Sequence, residues 1–259
     1  MDLKVTGKRV LVTGSSSGLG ESIARLLAAE GADVVVHGRD EVRAKAVAAE
    51  IGAAGVAIGD LTTDAGADAV AEAAGEIDVL VNNAGAYGHV GWADATPEVW
   101  LSIYEANVVS AVRMIRRFVP GMRARGWGRV IQIGGGLGSQ PMAMLPHYNA
   151  TLAARHNLAV SLARDLKDTG VTSNVVSPGA ILVEATRDWL TERAPENGWG
   201  EEWADIERNA ARDFVPNDIG RFGRPDEIAG AVAYLVSPYA DYVSGATIRV
   251  DGGTIKSVI

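Results

Sequence analysis

The chain has 259 residues, a size that one hydrophobic core can organise. Hydrophobic residues make up 47% and charged residues 22%, which excludes a disordered or fibrous protein. The absence of cysteine excludes disulfides, thiolate metal sites and a cysteine nucleophile, and it fits a reducing compartment. The net charge of -8, without a visible basic stripe, argues against a nucleic-acid partner.

The N-terminal apolar segment is about five residues long, whereas a signal peptide needs roughly 7–15. No window approaches the ~18 apolar residues that span a bilayer. The sequence therefore predicts a soluble, cytoplasmic protein without a membrane partner.

Short β-branched runs alternate with longer Ala- and Leu-rich runs of helical period. This alternation predicts an α/β protein: one Rossmann-type domain over residues 1–259, with a doubly wound parallel sheet of about seven strands and helices on both faces. The predicted strands are Arg9–Thr13, Asp33–His37, Gly55–Gly59, Asp78–Asn82, Arg129–Gly134, Thr172–Ser177 and Thr247–Asp251. The predicted helices are Gly18–Glu30, Asp40–Ile51, Asp64–Ala74, Pro97–Arg125, Pro146–Thr169 and Pro225–Val236.

The stretch 183–221 breaks this alternation, because three tryptophans lie there among many charges and two prolines. It is interpreted as an insertion over one end of the sheet. The tryptophans either anchor a helical insertion to the domain or form a lid over a ligand, with Trp189 as a substrate contact.

A glycine-rich loop follows the first strand directly and leads into a helix. Its sequence is Thr13-Gly14-Ser15-Ser16-Ser17-Gly18-Leu19-Gly20. Glycines permit a tight turn and close backbone approach to a pyrophosphate, while free N–H groups at a helix N-terminus attract an anion. The loop therefore predicts a dinucleotide site, and a simple turn is the alternative. The predicted contacts are Gly14, Ser16, Ser17, Gly18, Leu19 and Gly20.

The spacing TGxxxGxG in this setting resembles that of the short-chain dehydrogenase/reductase family. Further family motifs recur in order along almost the whole chain. They are Asp60-Leu61, Asn82-Asn83-Ala84-Gly85, Asn107, Tyr148, Pro178-Gly179, Gly223-Arg224-Pro225 and Val250-Asp251-Gly252-Gly253. The resemblance implies an oxidoreductase that binds NAD or NADP. It also implies a homotetramer with the fifth helix and the Ile219–Ile259 tail at subunit contacts.

The resemblance implies cofactor contacts beyond the glycine loop. They are Asp60 and Leu61 at the adenine, Asn83, Ala84 and Gly85 along the cofactor, and Pro178, Gly179 and Ile181 beside the nicotinamide. Taken alone, the Asn82–Gly85 segment also fits an ordinary turn at a strand end, since Asn and Gly suit positive φ.

The residue that selects between NAD and NADP is expected just after the second strand, where an acidic side chain binds the ribose 2′-OH of NAD. The acidic position of the family falls on Gly38, and Arg39 follows with a guanidinium that can bind a phosphate bidentately. The sequence thus favours NADP(H) over NAD(H). The alternative is that Arg39 only pairs with Asp40 or Glu41.

The catalytic set that the resemblance implies is incomplete. Family members carry an Asn that holds a relay water, a Ser that orients the carbonyl, a Tyr that transfers the proton, and a Lys four residues after the Tyr. Asn107 and Tyr148 match, but Gly135 takes the place of the Ser and Leu152 that of the Lys. Without a neighbouring ammonium, the pKa of Tyr148 is expected near ~10, which favours carbonyl reduction over alcohol oxidation.

Several residues are candidates for the missing functions on the substrate side. Backbone N–H groups of Gly135 and its neighbours can bind the substrate oxygen, and Ser139, Gln140 and His147 are side-chain donors. A solvated Ser139 and a partly exposed His147 are the plainer interpretations. Arg155, two turns after Tyr148, is interpreted as a surface or interface charge.

Three functions remain open from the sequence. The first is an NADP-dependent reductase of a small-molecule carbonyl substrate, with Tyr148 as proton donor and no metal. The second is a dinucleotide-binding pseudoenzyme that acts through partners. The third is a non-redox, lyase-like enzyme on the same scaffold; the unmodified glycine loop argues against this third function.

Overall fold

The computed structural model describes residues 2–88 and 90–257. Its strands are β1 (Arg9–Val12), β2 (Asp33–Gly38), β3 (Gly55–Ile58), β4 (Val79–Asn82), β5 (Gly128–Ile133), β6 (Val171–Pro178) and β7 (Thr247–Val250). Its α-helices are α1 (Gly18–Ala29), α2 (Glu41–Ile51), α3 (Asp64–Ala74), α4 (Pro97–Tyr104), α5 (Ser110–Arg125), α6 (Pro146–Asp165), α7 (Glu184–Asn197), α8 (Trp203–Phe214) and α9 (Pro225–Val236).

The strands form one parallel sheet of seven strands in the order β3-β2-β1-β4-β5-β6-β7. Val10 in the centre of β1 pairs with Val34 on one side and Val79 on the other. The strand order reverses between β1 and β4. In sheets of this kind, ligands bind in the crevice at the carboxyl ends of the two strands between which the order reverses. The predicted doubly wound α/β fold is confirmed.

Apolar side chains cover both faces of the sheet. One face packs against α1, α2 and α9, and the other against α3, α5 and α6. The central strands are buried along their length, because helices cover both of their faces, and this explains the apolar runs in the sequence.

The predicted helix Pro97–Arg125 is divided into three segments in the structure. Helices α4 and α5 are joined by a π-helical turn over Glu105–Val109, which carries the buried Asn107. Such turns insert one extra residue into a helix and occur often at functional sites. Helical periodicity alone gives no signal for this insertion.

The interrupted stretch 183–221 contains α7 and α8, which pack on each other around their own apolar cluster. Within it Trp199 is buried and donates from Nε1 to Asp213 Oδ2 at 3.1 Å. The segment leaves the sheet after Ile181, which forms a parallel bridge with Gly223. Its first turn passes over the glycine loop, since a Cβ built on Gly18 would lie 3.9 Å from Val183 Cγ1.

None of the helices within residues 2–88 and 90–257 has the length and apolar character needed to cross a bilayer.

Candidate active site

The glycine loop between β1 and α1 forms a cradle for an anion. Gly14 and Gly18 have φ of 65° and 59°, a conformation that suits glycine. A Cβ on Gly20 would overlap the Gly14 carbonyl, so the loop and the helix can approach only without a side chain there. Among the described residues, the amides of Ser17, Gly18 and Leu19 donate to no partner, as expected of a helix start that can bind phosphate.

The loop is held from behind by His37 of β2, a contribution that the sequence analysis missed. The buried ring accepts a hydrogen bond at Nδ1 from the Gly14 amide (2.8 Å), which leaves Nε2–H to donate to the Gly59 carbonyl (3.2 Å). Burial lowers the pKa of His37 to about 4, so the ring is neutral at physiological pH. A neutral ring is required, because only a neutral Nδ1 can accept from Gly14.

The segment after β4 is tied to the same loop. Asn83 Nδ2 donates to the carbonyls of Thr13 (2.9 Å) and Gly14 (3.1 Å), and the Ala84 amide donates to Thr13 Oγ1 (3.0 Å). The Asn83 side chain therefore shapes the cradle. Ala84 and Gly85 lie along its rim, and a Cβ on Gly85 would come within 3.0 Å of Asn107 Oδ1.

The end of β2 bears on the choice of cofactor. A Cβ on Gly38 would lie 2.7 Å from Ser16 Oγ, so an acidic side chain cannot enter there without moving the loop. Asp40 caps α2 by accepting from the Val42 and Arg43 amides at 3.0 and 3.1 Å. Glu41 pairs with Lys45. Within the described part of the chain Arg39 is exposed and joins no ion pair, contrary to the alternative in which it pairs with Asp40 or Glu41.

The remaining predicted cofactor residues also lie near the carboxyl edge. Leu61 is buried, whereas Asp60 is exposed and accepts from the Thr62 amide and hydroxyl, which lowers its pKa. Pro178 ends β6, and the Gly179 amide donates to the Val250 carbonyl at 3.1 Å. Ile181 follows directly as a partly buried residue.

Tyr148 lies in the first turn of α6, with its ring 5.6 Å from that of Tyr87. Burial raises the pKa of the Tyr148 phenol above its ordinary value, with a smaller raising effect from Tyr87, while the positive charge of Arg155 lowers it. The phenol is therefore protonated at neutral pH, as expected from the absence of an ammonium at position 152.

Asn107 fixes the loop after β4 to α6. Its Oδ1 accepts from the Ala86 amide (2.7 Å), and its Nδ2 donates to the Ala86 carbonyl (2.8 Å) and to Thr151 Oγ1 (3.0 Å). The side chain is thus bonded at both of its polar atoms, which makes it a brace between three segments.

Gly135 and Leu152, the positions where the resemblance implies a serine and a lysine, lie against one another. Gly135 has an extended backbone with φ of 177°, which any residue adopts. A Cβ at Gly135, however, would lie 2.9 Å from Leu152 Cδ1, and Leu152 is buried. The Leu152 side chain therefore fills the space that a serine side chain at position 135 would need. Among the described residues the amides of Gly135 and Gly136 donate to no partner.

Arg155 is buried below this site, which makes its interpretation as a surface or interface charge wrong. Its side chain is only 4% exposed, and its guanidinium donates to backbone carbonyls of four residues. They are Asn107 at 2.6 Å, Ile133 at 2.7 Å, Asn82 at 3.4 Å, and Ala84.

Comparison with known proteins agrees with this geometry. The model of the short chain dehydrogenase family matches residues 8–194. The chain belongs to this family. A 3-oxoacyl-[acyl-carrier-protein] reductase of Escherichia coli is 35% identical over 95% of this chain and 97% of its own length. The structure of L-sorbose reductase from Gluconobacter frateurii, complexed with NADPH and L-sorbose, superposes with a TM-score of 0.91 at 35% identity, covering 100% of both chains.

A 3-oxoacyl (acyl-carrier-protein) reductase from Agrobacterium tumefaciens with NADP bound is a further structural neighbour. It has a TM-score of 0.84 and 34% identity, covering 97% of this chain and 95% of its own. This short-chain dehydrogenase is therefore an oxidoreductase with the Rossmann-type fold of its family.

The substrate side of this short-chain dehydrogenase is rich in aromatic rings. The ring of Tyr87 packs on that of Tyr148, and the exposed Trp92 lies 6.0 Å from Trp100, whose ring is 6.2 Å from that of His147. His147 is 1% exposed, so the interpretation as a partly exposed ring is wrong. We call Tyr87, Trp92, Trp100 and His147 the aromatic wall; Tyr87 packs on Tyr148, and His147 precedes Tyr148 in the chain.

The other predicted substrate contacts have structural partners. Ser139 and Gln140 are exposed in the loop after β5, and Gln140 Oε1 accepts from the Lys256 amide at 3.0 Å. Trp189 packs on Phe214 at 5.2 Å and under Arg193, which supports the anchoring interpretation of the tryptophans. Contact of these residues with substrate stays a prediction.

Proposed function

We propose that this short-chain dehydrogenase is an NADPH-dependent carbonyl reductase with a non-standard catalytic set, in which Tyr148 donates the proton. The observation that carries the proposal is the Tyr148 phenol, which has a raised pKa and whose ring lies 5.6 Å from that of Tyr87, two residues after the Asn82–Gly85 segment that borders the glycine cradle. When bound, the reduced nicotinamide supplies a hydride to the carbonyl carbon. Tyr148 Oη–H then protonates the carbonyl oxygen as it becomes an alkoxide.

The cradle would hold the dinucleotide through the amides of Ser17, Gly18 and Leu19, with Ser16 and Gly20 allowing close approach of the backbone. The free amides of Gly135 and Gly136 would orient the substrate oxygen in place of the absent serine, because backbone N–H groups stabilise a developing oxyanion. Asp60, Leu61, Pro178, Gly179 and Ile181 are proposed to line the rest of the cofactor.

Preference for NADPH over NADH is part of the proposal. Gly38 leaves no acid to repel a 2′-phosphate, and Ser16 occupies the space that an acidic side chain would need. Arg39 is exposed at the same edge and is not engaged by its neighbours Asp40 and Glu41. The charge of Arg39 also acts on the nearby Asp60 carboxylate, but among the described residues no carboxylate pairs with the guanidinium, which can therefore bind the phosphate bidentately.

The aromatic wall favours a ketone that carries an aromatic or bulky apolar group. Tyr87, Trp92 and Trp100 present ring faces that bury apolar surface well. The wall continues from Tyr148, so a carbonyl at the phenol would place its apolar substituent against these rings. Comparing rates for aryl ketones and for small aliphatic ketones of similar reactivity measures this preference.

A homotetramer formed by single-domain subunits is also proposed. The outer surface of α5 and α6 carries an apolar groove of about 760 Å³. Its lining includes Val112, Ile115, Ala150, Ala153, Ala154 and Leu158, and the small alanines permit another helix to approach closely. Light scattering at micromolar concentration measures the assembly, and a stable monomer contradicts the proposal. Residues 258–259, which end the Ile219–Ile259 segment predicted at subunit contacts, lie outside the described residues.

Location in the cytoplasm stays a prediction.

Titration of the purified protein with NADPH and NADH, followed by NADPH oxidation against a panel of ketones and aldehydes, tests the function. The proposal requires tighter binding of NADPH and turnover with at least one carbonyl compound. Binding without any turnover favours the pseudoenzyme, and absence of binding favours non-redox chemistry.

A further inference from the structure

Arg155 has an environment that a purely structural arginine does not need. It is almost fully buried, yet within the described residues it forms no ion pair with any carboxylate. Burial lowers its pKa to about 10, so the guanidinium still carries its charge at neutral pH. A buried charge without a carboxylate is costly, so the carbonyl oxygens that accept from Arg155 must offset that cost.

The carbonyls that Arg155 binds belong to segments that meet at the candidate active site. Asn82 ends β4 and Ala84 begins the cofactor rim, whereas Ile133 ends β5 just before the glycines that face the substrate. Asn107 lies in the π-helical turn. The planar guanidinium has five N–H donors in a fixed fork, and here four of them are used on these carbonyls.

Arg155 also shares a helix face with Tyr148 and Leu152. Residues four and seven apart lie on one side of an α-helix, and their side chains lean toward its N-terminus, where Tyr148 lies. The guanidinium reaches the rim, since a Cβ on Gly85 would lie 3.5 Å from Arg155 Nη2. Leu152 provides no charge between them, so Arg155 is the cation of this face that acts on the phenol.

We propose that Arg155 is the positioning residue of this active site: it holds the cofactor rim, the π-helical turn and the end of β5 in register with Tyr148, and it supplies the fixed positive charge that Leu152 does not. This inference rests on the proposed reductase function. Its structural half, the fixing of the rim and of the loop after β5, applies even before any cofactor binds.

The test compares three variants. Arg155→Met removes the charge and all donors at similar volume, and Arg155→Lys keeps the charge but cannot span four carbonyls. Arg164→Met is the control, because Arg164 is exposed on the same helix. Hydrogen exchange of the cofactor-free protein reports on segments 83–88 and 134–140. Fluorescence titration with NADPH reports on binding, and thermal unfolding reports on global stability.

We expect Arg155→Met to speed exchange in both segments by about 10-fold or more, while α9 and β1 exchange as in the wild type. NADPH affinity should fall about 10-fold and the rate of hydride transfer about 100-fold, as for a small misplacement of reacting groups. In Arg155→Met the alkaline fall of the reduction rate should move to higher pH, because the charge that lowers the pKa of Tyr148 is gone. In Arg155→Lys this fall should return to its wild-type position, whereas the exchange protection should return only in part. Arg164→Met should match the wild type in every measurement.

The proposal is overturned if Arg155→Met folds with wild-type exchange in both segments and wild-type NADPH affinity. Equal acceleration of exchange over the whole chain also overturns it, because that result means a loss of global stability. If Arg155→Met does not fold, Arg155→Lys decides in the same way: local acceleration supports the proposal, and wild-type protection overturns it. A wild type that reduces no carbonyl compound refutes the proposed function, but the exchange measurement on the cofactor-free protein still decides the role of Arg155.

Discussion

The two sides of the active site are built differently. On the cofactor side, the glycine loop, His37 and Asn83 form a closed set of hydrogen bonds around a cradle whose glycines have the TGxxxGxG spacing. On the catalytic side, Gly135 and Leu152 replace two expected side chains, and a buried arginine lies one turn beyond the expected lysine. In the proposed reductase, the dinucleotide site therefore depends on backbone shape, whereas the positive charge that acts on the phenol comes from one turn farther along α6 than the family position.

The largest effect should come from the catalytic side. Tyr148→Phe removes the proposed proton donor, and loss of general acid catalysis typically slows a reaction by ~10²–10⁴. We expect a decrease of that size in the single-turnover rate of ketone reduction, with NADPH affinity unchanged. Tyr87→Phe is the control on the neighbouring ring, and most of its activity should remain. Full activity in Tyr148→Phe would assign the proton to water or to His147.

On the cofactor side, Arg39→Ala should weaken the binding of NADPH but not that of NADH. Hydrogen bonds to charged groups contribute about 1.5–3 kcal/mol, so the dissociation constant should rise ~10- to 100-fold. NADH, which lacks the 2′-phosphate, should bind as before. Arg43→Ala provides a matched control, since Arg43 is exposed nearby and pairs with Asp40 at 3.5 Å. Calorimetric titration with both nucleotides measures the effect, and unchanged NADPH affinity contradicts the assignment.

His37 should make the cofactor side sensitive to acid. Its pKa is about 4 in the folded protein and 6.5 when unfolded, so its stabilisation is complete above pH 6.5 and is lost as the pH falls toward 4. Linkage predicts a loss of about 1.5 kcal/mol between pH 6.5 and 5 from this group. His37→Gln, which can both accept from Gly14 and donate to Gly59, should remove that part of the pH dependence in chemical unfolding.

The remainder of the pH dependence should persist in His37→Gln. Burial also lowers the pKa of His156, which contributes in the same direction. An identical pH dependence in the wild type and in His37→Gln would show that His37 protonates equally in both states.

Restoring the serine and the lysine of the family pattern should shift the pH dependence of alcohol oxidation. Gly135→Ser combined with Leu152→Lys places an ammonium near Tyr148, which lowers the pKa of its phenol and raises the fraction of phenolate that can act as a base. Alcohol oxidation at pH 8 should accelerate about 10-fold, with a smaller change in ketone reduction. The measurement requires that the double variant unfolds cooperatively like the wild type, because an ammonium buried without hydration is costly. Alcohol oxidation that keeps the pH dependence of the wild type contradicts the prediction, because the pKa of the phenol would then be unchanged.

The smallest expected effect is the coupling between Gly135 and Leu152 in the free energy of unfolding. Gly135→Ser alone should destabilise the protein by about 1–3 kcal/mol, since the new Cβ meets Leu152 Cδ1 at 2.9 Å. In a cycle with Leu152→Ala, the combined loss should be smaller than the sum of the single losses by about 1 kcal/mol. Chemical unfolding of the four proteins measures the cycle. Strict additivity would mean that the contact between the residues carries no strain.

Much of the cofactor side could be predicted from the sequence. A strand followed by glycines and a helix is a local pattern, and Gly14, Gly18 and Gly20 all lie where the pattern places them. His37 escaped notice because its partner Gly14 lies 23 residues earlier, and a histidine at a strand end gives no sign of which group its ring meets.

The catalytic side was predicted less well. Asn107 and Tyr148 could be found by spacing, but the π-helical turn and the burial of Arg155 could not. Charged residues are rarely buried without a partner, so sequence reasoning places an arginine at the surface. The carbonyls that permit its burial come from residues 22 to 73 positions away along the chain, and only the folded sheet brings them together.

The pH dependence of both reaction directions in the wild type tests the central claim most directly. A Tyr148 phenol with a pKa raised above ~10 is present as the acid throughout pH 6–8, so the single-turnover rate of ketone reduction by NADPH should be constant over that range. The rate of alcohol oxidation by NADP should rise about tenfold per pH unit, because it follows the small fraction of phenolate. Alcohol oxidation that is as fast at pH 6 as at pH 8 would show that a group other than the Tyr148 phenolate acts as the base.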